Sequence, residues 1–343
     1  MKPEATLMRR EILEIPDSVA VLLSEERSNI EAIAKELKES NAQFIVTLAR
    51  GSSNHAATFF NYAAALLTGL PVTPIGPSIT SIYQAPLKLN KSASLIISQS
   101  GSSPDIFNTA QAYTAQGSLS ISISNSINSP LTGVCHQNIN IRAGVEKSIA
   151  ATKTYVNSVV AALAILAFWK NDKSLINALG ALPEHLSRAR DIKWPDLHNL
   201  MLHENFIHIL GRGPTLAMSN EASLKFKETC QIYADSYSAA EFLHGPVSMV
   251  KPGSPVLALV ARDQAESNTN QVTDLLAKRG AMVFSTSAHS GSSRLLDYAR
   301  TGHPLTDPVS IIYSFYSFIE KLSIARGNNP DEHSFLEKAT QTI

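Results

Sequence analysis

Ser98-Gln99-Ser100-Gly101-Ser102-Ser103-Pro104-Asp105 is the stretch whose reading decides the fold. It follows Ala93-Ser94-Leu95-Ile96-Ile97, an apolar run of the length expected for a buried strand. Pro104 suits the first turn of a helix, where a missing N–H costs nothing. The segment therefore predicts strand, Ser/Gly turn and helix. A helix start offers unpaired N–H groups and the positive end of a dipole. With the hydroxyls of Ser100, Ser102 and Ser103 and a flexible Gly101, that start makes a cradle for a phosphate. The same serines would serve equally well as helix caps. The stretch alone leaves both readings open.

Outward from it, the pattern repeats. Phe44 to Leu48 reads as a strand, Ala49-Arg50-Gly51-Ser52-Ser53 as its turn, and His55 to about Thr68 as an Ala-rich helix. A short strand is expected near residues 72–75, and polar helices before about Asn41. On the other side, Ser118 to Ser124 alternates as a strand does, and Asn138 to Ile141 reads as another. A third loop, Ala143 to Thr152, leads into an apolar helix that ends near Trp169. Strands alternating with helices predict an α/β fold, with a mostly parallel sheet covered on both faces. Ligands in such sheets sit beyond the carboxyl ends of the strands, where these three loops fall. After a polar helical connector, Lys170 to Trp194, the pattern restarts with Phe206 to Leu210, the turn Gly211-Arg212-Gly213-Pro214 and a helix from Thr215 to about Tyr233. Strands at residues 255–260 and 281–285 and a last helix at 307–325 complete it. The Arg-Gly shared by the two turns marks a diverged internal repeat.

The chain has 343 residues, enough for two domains of ~100–200 residues each. Its 44% hydrophobic and 17% charged content permits a large core. Lys+Arg and Asp+Glu both number 29, so no global field attracts nucleic acid or an anionic membrane. The apolar run Val159–Trp169 is far short of the ~20 residues that span a bilayer. Cys135 and Cys230 sit in no CxxC or metal-ligand spacing, and the residues from Met1 to Glu4 open no apolar signal segment. Free thiols in a reducing cytoplasm are expected, with no metal and no redox cofactor.

In the second half, Glu221, Lys225 and Glu228 are spaced to share one helix face. Such a triplet is most often a solvated ion-pair ladder. It is also what a proton shuttle at Glu228, with the Lys225 ammonium stabilising nearby negative charge, would need. His244, between Leu243 and Gly245-Pro246, fits either a buried structural histidine or a proton donor near neutral pH. Nothing local marks Lys338 in the polar tail.

At these residues the chain resembles the sugar isomerase (SIS) superfamily, most closely the isomerase half of glucosamine-6-phosphate synthase. The resemblance implies two SIS domains, each a three-layer α/β/α sandwich. An N-terminal helical segment would cover 1–41, the first SIS domain 42–170, a connector 171–195, the second SIS domain 196–326 and a tail 327–343. Ser98-Gln99-Ser100-Gly101 with Asp105 is similar to that family's phosphate loop. Glu146 with Ala150-Ala151-Thr152-Lys153 is similar to its second substrate loop. Gly211-Arg212-Gly213, Leu224 to Glu228 and Glu241 to Pro246 are similar to its catalytic segment.

The roles the resemblance implies are these. Ser98, Gln99, Ser100 and Ser103 hold a 6-phosphate, with Ser52 and Ser53 from the first turn and Ala150 and Ala151 completing the substrate contacts. Glu228 moves a proton between C2 and C1, aided by Lys225. His244 opens the sugar ring from the neighbouring subunit, so a homodimer with shared sites is implied. Lys338 reaches the open-chain sugar. Ala151 stands where the synthase has a serine, and His333-Ser334 where the family often has Pro-Arg. The chain starts almost directly at the SIS part, with Lys2 second, so no glutamine-derived ammonia is expected. The type II glucosamine-6-phosphate deaminases are similar in length. The resemblance therefore implies conversion of glucosamine 6-phosphate and water to fructose 6-phosphate and ammonia. A deglycase of fructosamine 6-phosphate, a deaminase or isomerase of galactosamine 6-phosphate, or a non-catalytic sugar-phosphate sensor are the alternatives.

Overall fold

The structure, a computed structural model, describes residues 5–332. The chain divides into two compact units. Among the described residues, one comprises 14–146 and 153–183, the other 5–13, 147–152 and 184–332. In chain order the elements are α1 (Leu7–Glu25), α2 (Arg27–Glu39), β1 (Phe44–Ala49), α3 (Gly51–Thr68), β2 (Val72–Pro74), α4 (Ser78–Ser81), β3 (Ser92–Ile97), α5 (Pro104–Ala115), β4 (Leu119–Ser124), α6 (Pro130–Val134), β5 (Gln137–Asn140) and α7 (Lys153–Lys170). There follow α8 (Lys173–Ala189), α9 (Pro195–Met201), β6 (Phe206–Gly211), α10 (Pro214–Cys230), β7 (Tyr233–Ser238), α11 (Ala239–Phe242), β8 (Pro255–Ala258), α12 (Glu266–Lys278), β9 (Met282–Ser285), β10 (Arg294–Leu295) and α13 (Asp307–Ala325). Among these residues no helix is long and apolar enough to cross a membrane.

The first sheet is parallel, in the order β2-β1-β3-β4-β5. Chain direction reverses across the sheet between β1 and β3, and their ends are in register at Ala49 and Ile97. That switch point sets the Arg50–Ser53 turn beside the Ser98–Ser103 loop. β3 is buried along its whole length, Ser92 and Ser94 included. β4 alternates Leu-Ser-Ile-Ser-Ile-Ser, yet both of its faces are buried. Its serines are satisfied internally: Ser120 Oγ lies 2.8 Å from His136 Nδ1, and Ser122 Oγ donates to Asn138. α7 is buried nearly all round, which its apolar composition demands.

The second sheet is also parallel and runs β7-β6-β8-β9-β10. The order of pairing is that of the first sheet, which makes the internal repeat a topological fact. Its switch point lies between β6 and β8, after Gly211. Two boundaries differ from expectation. α10 ends at Cys230 instead of Tyr233, and residues 233–238 form β7, a strand that the sequence pattern missed. β7 is a sheet edge with only Ala234 buried, so it carries no apolar run. Burial pushes the thiols of Cys135 and Cys230 up to about 12 each, and both are unbridged.

Candidate active site

The Ser98–Ser103 loop folds on its own serines. Ser98, buried, accepts the Gly101 N–H on its hydroxyl (3.2 Å), and Ser100 Oγ accepts the Ser102 N–H (3.3 Å). Gly101 has φ +62°, and a Cβ there would lie 2.2 Å from Ser129 Oγ, so glycine is required twice over. Ser103 occupies the cap position of α5 but makes no capping bond with its hydroxyl. Gln99, Ser100 and Ser103 are half-buried. Asp105 is fully buried in the first turn of α5, and Arg50 bridges to it from the neighbouring turn at 2.8 and 3.0 Å. That bond ties the two loops of the switch point together. Ser52 and Ser53 lie in the first turn of α3, half-buried.

Beyond the ends of β3, β4 and β5 opens a cavity of about 650 Å³, with Gln99, Ser100, Asn125, Arg142, Gly144 and Glu146 among its walls. Glu146 accepts the N–H (3.2 Å) and hydroxyl (2.5 Å) of Thr154 and so caps α7. Arg142 is held by Glu25 and Glu26 at 3.1 and 2.7 Å. Asn125 and Arg142 escaped the sequence reading. An Asn at a strand end and an Arg in a loop are too common to stand out without their neighbours.

In the second unit, α10 carries Glu221, Lys225 and Glu228. Lys225 Nζ lies 3.1 Å from Glu221 and 2.7 Å from Glu228. Lys225 and Glu221 have no exposed side-chain surface, whereas Glu228 keeps 20%. Tyr316 of α13 donates to Glu221 (3.1 Å). The solvated ladder is therefore excluded: α13 packs over this face, and only Glu228 reaches water. Burial works against the Lys225 ammonium, but the two carboxylates outweigh it and hold its pKa above the ordinary lysine value. His244 is exposed, in a turn where its N–H donates to the Glu241 carbonyl (2.9 Å) and Gly245 follows with φ +149°. It is not a buried structural histidine. Ala150 is buried and Ala151 half-buried in the segment 147–152, whose Lys147 and Ser148 N–H groups donate to Glu11. Lys338 and His333-Ser334 lie outside the described residues.

Residues 38–167 and 200–299 match the SIS domain family. A glutamine–fructose-6-phosphate aminotransferase (isomerizing) of Sulfurisphaera tokodaii is 30% identical over 285 residues, covering 82% of this chain and 47% of that protein. The chain spans about half the length of the curated relatives it matches. A candidate phosphosugar isomerase of Silicibacter pomeroyi DSS-3 is similar in structure, with a TM-score of 0.93 and 47% identity over 95% of this chain and 100% of that one. A glucosamine-6-phosphate deaminase of Thermotoga maritima shares the fold, at a TM-score of 0.77 and 16% identity, over 98% of this chain and 100% of that one. With the matched segments spanning both sheets, the chain belongs to the SIS domain family.

Proposed function

We propose that this chain is a phosphosugar isomerase that acts on an amino sugar, converting glucosamine 6-phosphate and water to fructose 6-phosphate and ammonia. The observation that carries the reading is the state of Glu228. Its carboxylate reaches solvent, and the cation that holds it is wholly buried. A carboxylate held by a buried cation and open to solvent is placed to take a proton from carbon. The hydroxyl-rich loop at the first switch point supplies the anion anchor for the sugar's phosphate, and remote binding of that kind orients the reacting carbons.

In this mechanism His244 protonates the ring oxygen and opens the pyranose. Glu228 removes the C2 proton of the open-chain aldose, and the electron pair passes to the C1 carbonyl. The C1 oxygen takes up a proton to give an enolamine, and return of the C2 proton at C1, as the nitrogen gives up one of its own, leaves a C1 hydroxyl and a ketimine at C2. Water adds to that carbon and ammonia leaves, so fructose 6-phosphate remains. Lys225 is enclosed between two carboxylates and acts through Glu228: it is a positioning residue. His244 works across a homodimer in this reading, and Ser52, Ser53, Ala150 and Ala151 complete the binding surface.

The test is a coupled ammonia assay on glucosamine 6-phosphate without glutamine, beside fructosamine 6-phosphate and galactosamine 6-phosphate. Ammonia and fructose 6-phosphate in equal amounts are expected from the first. Glu228→Gln should lower kcat by ~10²–10⁴-fold while the melting temperature stays near that of the wild type. Normal turnover by that variant, or no reaction with any amino-sugar phosphate, overturns the reading.

A further inference from the structure

Asn125 follows the last residue of β4 and bonds to both loops that line the large cavity. Its main-chain N–H donates to the Gln99 carbonyl (3.1 Å). Its side-chain Oδ1 accepts the Ala143 N–H (3.1 Å), and its Nδ2 donates to the Gly144 carbonyl (2.7 Å). Both capacities of one amide are thus spent on two consecutive residues. Gly144 sits at φ +67°, a conformation glycine adopts freely and leaves as freely. Two residues further on, Glu146 is anchored to the start of α7. The segment between has Asn125 as its fixed point toward the phosphate loop. Gln99, Ser100, Asn125, Gly144 and Glu146 share the one cavity.

We propose that Asn125 is a positioning residue, whose amide registers residues 143–146 against the phosphate loop and so shapes the wall that an anchored phosphosugar meets. The inference rests on the phosphate-loop reading above. Without the amide, the Ala143 N–H and Gly144 carbonyl lose their partner and the segment is ordered only when ligand binds. The ligand's affinity then bears the ordering cost. Glu228 lies on a different element, so the proton transfer is affected less than binding.

The full-length protein is compared with Asn125→Ala and Asn125→Asp. The second variant keeps the side chain's shape and an acceptor for Ala143 but loses the donor to Gly144. It carries the test if the alanine variant does not fold. Titration with inorganic phosphate and hydrogen–deuterium exchange over residues 141–146, with and without phosphate, are read beside steady-state kinetics. In the wild type, phosphate should slow exchange in that segment. In both variants the free segment should exchange faster, phosphate should bind about tenfold more weakly and, at saturation, slow exchange there by more than in the wild type, KM should rise about tenfold, and kcat should stay within about threefold. Variants with wild-type KM and wild-type phosphate-dependent protection overturn the inference and leave the phosphate loop standing. A wild type that binds no phosphate overturns the loop reading and this inference with it.

Discussion

Lys225 places one cation between two carboxylates where water does not reach. Glu221, at 3.1 Å, is as buried as the lysine, and Glu228, at 2.7 Å, stands at the margin. Removing the cation strands a buried carboxylate, which costs far more than an exposed pair is worth. Lys225→Met should therefore destabilise the fold by about 3–5 kcal/mol, read from chemical denaturation. Adding Glu221→Gln to that variant should restore most of the loss, because no buried charge then lacks a counter-charge. A Lys225→Met protein as stable as the wild type would show that the lysine is not the counter-ion described here. The spacing of the three residues was legible in the sequence. Their burial was not, because it depends on α13, whose Tyr316 is 95 positions from Glu221.

At the scale of elements, Arg50 and Asp105 join the two loops of the first switch point. The Asp105 side chain is fully buried and the Arg50 side chain half exposed. Arg50→Ala leaves Asp105 with the Ile106 N–H (2.9 Å) but without its cation. A loss of about 1–3 kcal/mol is expected, less than for a fully buried pair because water screens the half-exposed guanidinium, with weaker phosphate binding as the loops separate. Unchanged stability and unchanged phosphate affinity would contradict the coupling. Strand, turn and helix were readable here because the apolar run, the glycine and Pro104 each have a local cause. β7 was not: its residues Tyr-Ala-Asp-Ser-Tyr-Ser pair with β6 by main-chain bonds at an edge, and main-chain bonds leave little mark on side-chain pattern. β4 was legible as a strand from its alternation, and its serine face is filled by His136 and Asn138 instead of water.

At the scale of the molecule, the same strand order occurs twice, and each sheet has its own core. The second sheet carries His208 on β6, an interior strand, 1% exposed, between the rings of Phe206 and Phe242 at 4.4 and 4.9 Å. Neither ring nitrogen has a hydrogen-bond partner among the described residues. Burial lowers its pKa, and the opposing pull of Asp235 is smaller. Above the ordinary histidine value of 6.5 both folded and unfolded forms are neutral, and stability is at its full value. As pH falls below that value the unfolded chain takes up a proton that the folded chain resists, so stability declines. His208→Phe should flatten the fall in melting temperature between pH 7 and pH 5 and leave the value at pH 8 little changed. An equally steep fall in the variant would place the acid sensitivity elsewhere.

Local composition determined the α/β class, the repeat and the hydroxyl loop, because strand runs, turn glycines and clustered serines act within a few residues of one another. Packing alone decided that Lys225 is enclosed, that His244 faces water and that Asn125 holds two loops together. Those properties arise from residues far apart in sequence meeting at one place, and spacing along the chain does not encode such meetings.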